Sequence, residues 1–340
     1  MLQDTLAFHL PDSLNASMPP ERRGIRRDQV RMMVLDRKTG ITSHDRFDQL
    51  GNYLKSGDVL VINSSRTLPA ILKAKKHKDN FSEEVEVRLA RRINGATWEA
   101  LVVSETSHPG DRLVFSEDLS GNIIKKNDNS PLVTILFSKT GNELFQHIYS
   151  VGEPVRYEYI NHPWELDYYQ TVFAAQPGSV EMPSAGRAFS WELLFKLQRQ
   201  GVKITSMQLH TGLSYLLDDK WDHSPEANHE EYFIPSESWT TIMEAKLSGG
   251  RIIAVGTTVV RALESAMNSG SLSGWTNLYI TPEYQLKAAD AIITGLHEPE
   301  ASHLAMLSAF VEKDKLFNAY QEAILEQYLW HEFGDINLII

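Results

Sequence analysis

Glu84-Val85-Glu86-Val87-Arg88-Leu89 alternates charged and apolar side chains with a period of two. No helix can hold Val85, Val87 and Leu89 on one face, whereas a strand must. Asn94-Gly95 then supplies a hairpin turn, and Trp98-Glu99-Ala100-Leu101-Val102-Val103 returns from it. Pro109-Gly110-Asp111 turns into Arg112-Leu113-Val114-Phe115. Ser120-Gly121-Asn122 and Asn127-Asp128-Asn129-Ser130-Pro131 separate two more short strands, the last ending in Leu132-Val133-Thr134-Ile135-Leu136-Phe137. Short strands divided by frequent turns predict a small antiparallel barrel from about Leu72 to Phe137.

The pattern changes on either side. Ser190 caps a helix whose Leu193, Leu194 and Leu197 form one stripe before Gly201, and Val202 to Met207 follows as a strand. Ile252-Ile253-Ala254-Val255 is too short and too apolar for a helix, and Gly256 leads from it into a helical segment from Val259 to Met267. Asp314 reads as the cap of a last helix carrying Leu316, Phe317, Tyr320 and Ala323. Strands alternating with helices give an α/β fold class. The expected architecture is a mixed-sheet α/β core of residues 1–65 and 150–340 with an inserted small antiparallel β-barrel of residues 66–149.

The absence of cysteine excludes thiolate metal sites, disulfides and a cysteine nucleophile, and suits a reducing, cytoplasmic setting. Met1 to Leu6 has no basic start and no apolar run of signal length, and Ala288 to Val311 is too interrupted by charge to span a bilayer, so no membrane partner is expected. Lys and Arg number 33 against 44 Asp and Glu, a net charge of −11, which argues against coating nucleic acid with the whole surface. Two local segments run the other way: Glu21–Arg31 and Lys73–Arg92 each carry a balance of +3. They are either solvated faces or a divided surface for a polyanion.

Ile252 to Arg261 places a Gly256-Thr257-Thr258 turn between a buried strand and a helix. Free amides and two hydroxyls converge there, as an anion or ribose site requires, although a plain capped helix with an Arg261–Glu264 surface pair has the same spacing. Leu60 to Arg66 ends a strand in Asn63-Ser64-Ser65-Arg66, where the small polar residues can be turn formers and Arg66 can grip a carboxylate or phosphate. Ala174 to Ser190 is a long loop punctuated by Gly and Pro. His210, His229, Glu231 and His297 lack the spacing of a metal-binding helix, so no metal is expected.

Several of these segments, in order, resemble the S-adenosylmethionine:tRNA ribosyltransferase-isomerase family. The likeness is carried by Val61 to Ala70, Tyr169 to Ala174, Pro183-Ser184-Ala185-Gly186, Ala254 to Ser265, Ser308-Ala309-Phe310 and Phe333-Gly334-Asp335. The resemblance implies an α/β domain with an inserted barrel, S-adenosylmethionine as co-substrate, no metal, and tRNA as partner. It implies transfer of the ribosyl moiety to 7-aminomethyl-7-deazaguanine in tRNA and its rearrangement to epoxyqueuosine, with release of adenine and methionine. Carried onto this chain, Glu231, His210 and His297 become candidates for proton transfer, and Arg66 and Arg261 for holding a carboxylate or phosphate. Gly256, Thr257 and Thr258 would line the ribose, with Ser184 and Gly186 on the facing loop. The chain departs from the family at Ser64, which replaces a carboxylate, at Arg187, which replaces an apolar residue, and at Ala188, which replaces a histidine. Those departures set up a second reading, a relative that binds a nucleoside, S-adenosylmethionine or RNA with slowed or lost catalysis.

Overall fold

The computed structural model describes residues 6–78, 81–104, 106–126, 130–157, 159–214 and 229–340. Met1–Thr5, the turn residues Asn127–Asn129, and Asp79 and Asn80 of the second basic segment lie outside the described residues.

Val59–Asn63 is buried at every position, and its side chains divide between two cores. Val59 and Val61 join one apolar cluster, while Leu60 and Ile62 join another. A strand covered on both faces belongs in the middle of a parallel arrangement. It pairs in parallel with Lys203–Leu209 on one side and Ile252–Val255 on the other. Among the described residues the full sheet has nine strands. Beyond Lys203–Leu209 lie Glu230–Phe233 and the edge strand Ser273–Thr276, both antiparallel. Beyond Ile252–Val255 come Ala291–Gly295 (parallel), Ile336–Ile339 (antiparallel), then Arg31–Leu35 and Thr42–Arg46.

Helices cover both faces. Thr257–Ser269, Ser236–Leu247, Ser302–Ser308 and Lys313–Leu325 pack on the face of Val59 and Val61, and Trp191–Arg199 packs on the other. Ser190 caps Trp191–Arg199 as expected, accepting from the Leu193 amide. The last helix starts one residue earlier than Asp314, with Glu312 at the N-cap position, because Leu316 accommodates the first full turn from the Glu312 carbonyl.

The chain leaves the sheet at Asn63 and enters a closed, wholly antiparallel barrel in the order Leu132–Phe137, Thr97–Val103, Phe81–Arg92, Ile71–Lys78, Arg112–Val114, Ser120–Lys126. Val85, Val87 and Leu89 point into it, together with the fully buried Trp98. The helix Gly141–Val151 stops one side of this core, Phe145 meeting Trp98 edge-on. The mixed α/β fold with a separate barrel is therefore as the alternation required.

Asn63 makes the join. Its amide oxygen accepts from the Leu209 and Ser65 amides at 3.1 Å each, and its amide nitrogen donates to the Leu209 carbonyl at 2.9 Å. It is 2% exposed, so water replaces none of these bonds. Asn63→Leu would strand three buried backbone groups, and leaving a buried group unpaired costs about 1–3 kcal/mol. Urea unfolding should register a loss of about 3 kcal/mol or more; a loss under about 1 kcal/mol would show that the join holds without this side chain.

Candidate active site

The parallel strands Val59–Asn63, Ile252–Val255 and Ala291–Gly295 end on the same side of the sheet, and a cavity of about 380 Å³ opens there. Ligands in open α/β sheets favour that edge. Val255 runs into Gly256, whose φ of +93° is open to glycine and strained for other residues. That turn sets the first residues of the helix Thr257–Ser269 against the cavity, where helix amides have no carbonyl of their own helix to meet. Thr258 Oγ1 lies 3.4 Å from Asn63 Nδ2, so the join and the cavity share a residue. Gly256, Thr257, Thr258, Ser184 and His297 are thus brought together on one wall system. Gly186 lies just behind, closing the short turn Ser184–Gly186 against the Phe173 ring.

His297 Nε2 pairs with Thr294 Oγ1 at 2.7 Å, and its ring stacks on His303 with centroids 4.5 Å apart. Burial depresses both, His303 to about 4, so both are neutral at pH 7. His331 reaches Asn15 Oδ1 at 2.9 Å and stacks on Tyr159 at 4.4 Å; burial pushes it down to about 4. Its backbone φ of +72° is unusual for a residue with a Cβ.

Three carboxyl groups face the same space. Glu332 accepts from the Tyr159 hydroxyl, and burial, reinforced by the nearby charges of Glu181 and Glu298, pushes it up to about 7. Glu181 accepts from Ser214 N and Oγ at 2.7 and 2.8 Å and from the Tyr157 hydroxyl at 3.1 Å, yet burial still raises it. Glu298 is raised by burial as well. Among the described residues no Lys or Arg lines this cavity. The Tyr169 hydroxyl, also at its wall, is buried without a hydrogen-bond partner. Such a cavity can stabilise a cation and exchange a proton near neutrality. Among the described residues no group of three or more His, Asp or Glu could hold a metal.

The remaining expected residues lie elsewhere. His210 and Glu231 come together in a second cleft with Arg92, whose Nη2 is 2.6 Å from Glu231 Oε2. His210 Nδ1 contacts Ser65 Oγ at 2.7 Å, and its ring lies so close to Gly178 that a Cβ there would come within 2.5 Å. Burial and the Arg92 charge lower its pKa to about 4. Arg66 is exposed over the Tyr149 ring, 5.2 Å from its centroid, outside the cavity lining. Arg261 is also outside that lining, ion-paired with Glu230 and donating to the Leu278 carbonyl at 3.2 Å. Glu264 is no surface partner for it: fully buried, it accepts the amides of Lys287, Ala288 and Ala289. Arg187 is likewise buried, bonded to Glu21 at 2.7 Å and to the Tyr168 carbonyl at 2.7 Å. Ser64 Oγ donates to the Met207 carbonyl at 3.1 Å. Ala188 packs in the core beside Phe189.

Sequence reasoning did not single out Glu181, Glu298, His303, His331 or Glu332. Glu181 sits within the Gly- and Pro-rich loop, and His331-Glu332 directly precedes Phe333-Gly334-Asp335. Titratable residues in loops at strand ends were the available signal.

The comparisons with known proteins agree in one direction. A family model described as queuosine biosynthesis protein matches residues 3–339. The S-adenosylmethionine:tRNA ribosyltransferase-isomerase of Sulfurihydrogenibium sp. is 37% identical over 336 residues, covering 98% of both chains. Those of Carboxydothermus hydrogenoformans and Desulforamulus reducens are 36% and 38% identical, again covering 98% of both chains. A solved structure of S-adenosylmethionine tRNA ribosyltransferase from Thermotoga maritima aligns with 98% of this chain and 99% of that one, at 30% identity and a TM-score of 0.57. Matched from end to end by this family's model and by full-length relatives, the chain belongs to the queuosine biosynthesis family of S-adenosylmethionine:tRNA ribosyltransferase-isomerases.

Proposed function

We propose that this chain transfers the ribosyl moiety of S-adenosylmethionine to 7-aminomethyl-7-deazaguanine in tRNA and isomerises it to epoxyqueuosine, acting in the cytoplasm. The observation that carries this reading is the charge of the cavity: three carboxyl groups and no lining cation among the described residues. A sulfonium is a cation, and Coulomb attraction to a carboxylate grows as water is excluded. The amides opening the helix at Thr257 suit the carboxylate of the methionine part, since a helix N-terminus attracts anions.

Two proton movements are unavoidable. Adenine leaves with the electron pair of its glycosidic bond and needs a proton to depart neutral, while the attacking amine sheds a proton as its nitrogen bonds to carbon. A group poised near the working pH serves best, and Glu332 is held at about 7. The neutral imidazoles of His297 and His303 can donate or accept hydrogen bonds without adding positive charge beside a sulfonium. Relatives at over a third identity favour this reading over a non-catalytic one, and the departures at Ser64, Arg187 and Ala188 fall on residues with backbone, ion-pair or core contacts. The basic segment Glu21–Arg31 is largely engaged: Arg26 with Asp28, Arg27 with Glu21, Arg31 with Glu326. Lys76 of the second segment is buried on Ser104. Arg91 and Arg92 are ion-paired as well, with Glu99 and Glu231, but Arg92 lines a cleft beside the exposed rings of Phe233 and Trp275, and we propose tRNA contact at that end of the segment.

Adenine release from S-adenosylmethionine, measured with and without tRNA bearing the deazaguanine base, tests the reaction; release should require that tRNA, and tRNA-independent release would overturn the assignment. Glu332→Gln should slow single-turnover release by ~10²–10⁴-fold, and the fall in wild-type kcat/KM as pH drops below about 7 should vanish in the variant. Because the folded pKa of Glu332 is raised, its contribution to stability is present at low pH and lost as pH rises through about 7. Glu332→Gln should thus match the wild type in urea unfolding at pH 4 and exceed it at pH 8. Calorimetry should find S-adenosylmethionine bound at least ~10-fold more tightly than its neutral thioether analogue S-adenosylhomocysteine, a difference of ~1.4 kcal/mol; equal affinities would remove the electrostatic argument.

A further inference from the structure

The second cleft is built on the edge of the sheet. In the antiparallel pair Glu230–Phe233 and Ser273–Thr276, Glu231 stands opposite Trp275 and Phe233 opposite Ser273. Residues two apart on a strand share a face, so Glu231, Phe233 and Trp275 rise together, while Tyr232 turns into the core. Phe233 and Trp275 are each 47% exposed, an unusual expense of aromatic surface on one face of one hairpin. Facing them across about 440 Å³ are Arg92, from the end of a barrel strand, and His210. Arg91 approaches the indole of Trp275 at 6.0 Å and is itself anchored by Glu99 and the His229 carbonyl.

Resting on the reading of tRNA as substrate, we infer that this cleft holds one unstacked tRNA nucleobase, distinct from the base being modified. The chemistry is complementary in two respects. An exposed indole beside a phenyl ring offers a stacking platform, which every base can use. The Arg92–Glu231 pair presents donors and an acceptor side by side, as the polar edge of a base requires. A purely apolar partner side chain would desolvate that ion pair without replacing its water. The position fits as well: His210 faces this cleft, and the next residue, Thr211, faces the catalytic cavity. One RNA loop can therefore enter both spaces, one nucleotide in each.

The test is a coupling measurement on the full-length protein with tRNA and with a series of the same tRNA carrying one abasic nucleotide at successive positions of the loop that bears the modified base. Base–aromatic stacking is worth ~1–3 kcal/mol, so Trp275→Ala should weaken tRNA binding by ~5- to 150-fold, and Trp275→Phe should recover most of it. One abasic position should weaken the wild type by a similar factor and cost nothing further in Trp275→Ala. An unchanged melting temperature and unchanged S-adenosylmethionine affinity establish that the variant is folded. Wild-type binding with no loss in Trp275→Ala, or abasic penalties identical in the two proteins, would overturn the base subsite while leaving the proposed reaction intact. Failure of the wild type to bind tRNA at all would overturn both.

Discussion

A single carboxamide holds the architecture together. Asn63 stands where the central strand ends and the barrel begins, and it satisfies both backbone groups of Leu209 as well as the Ser65 amide. No other side-chain type supplies a donor and an acceptor in that arrangement at that length. The same group reaches Thr258 at the mouth of the helix Thr257–Ser269. The sheet, the stem of the barrel and the cavity therefore meet at one buried residue.

The cavity itself is an arrangement of opposed costs. Burying carboxyl groups penalises their charge, and each of Glu181 and Glu332 receives hydroxyl hydrogen bonds that offset part of that penalty. Burial, with a smaller contribution from the Glu181 and Glu298 charges, holds Glu332 at about 7, so it exchanges its proton near neutrality. The surrounding imidazoles are driven the other way and stay uncharged. A positively charged ligand relieves the carboxylates, so binding and proton release are linked through the same desolvated space.

What was legible in the sequence was local. Alternation in Glu84–Leu89 and the strand–turn–helix at Gly256 depend on residues within a few positions of one another, and both stand in the structure as read. Ile71–Lys78 fell within the expected barrel span but was not read as a strand of its own, because its lysines look like a solvated run; in fact Lys76 turns inward and its ammonium is taken up by Ser104, Glu83 and the Thr106 carbonyl. The helix Ser236–Leu247 carries too narrow an apolar face to announce itself, burying Ile242 and Ala245. Glu332 and His331 were missed for a different reason. Their chemistry comes from burial by partners such as Asn15 and Tyr159, distant in the chain. Arg66 and Arg261 show the converse: a charge can be read from sequence, but its neighbours decide whether it faces a ligand or an internal partner.

The strand Ile336–Ile339 lies inside the sheet, between Ala291–Gly295 and Arg31–Leu35. It follows every other described strand in the chain, yet among the described residues it alone links the early hairpin Arg31–Arg46 to the other six strands of the sheet. Until that strand is in place, the hairpin has one edge of Arg31–Leu35 unpaired. His331 and Glu332 arrive on the same segment. Docking of this one strand thus completes the pairing of the hairpin and, in the same event, delivers two ionisable side chains to the cavity wall.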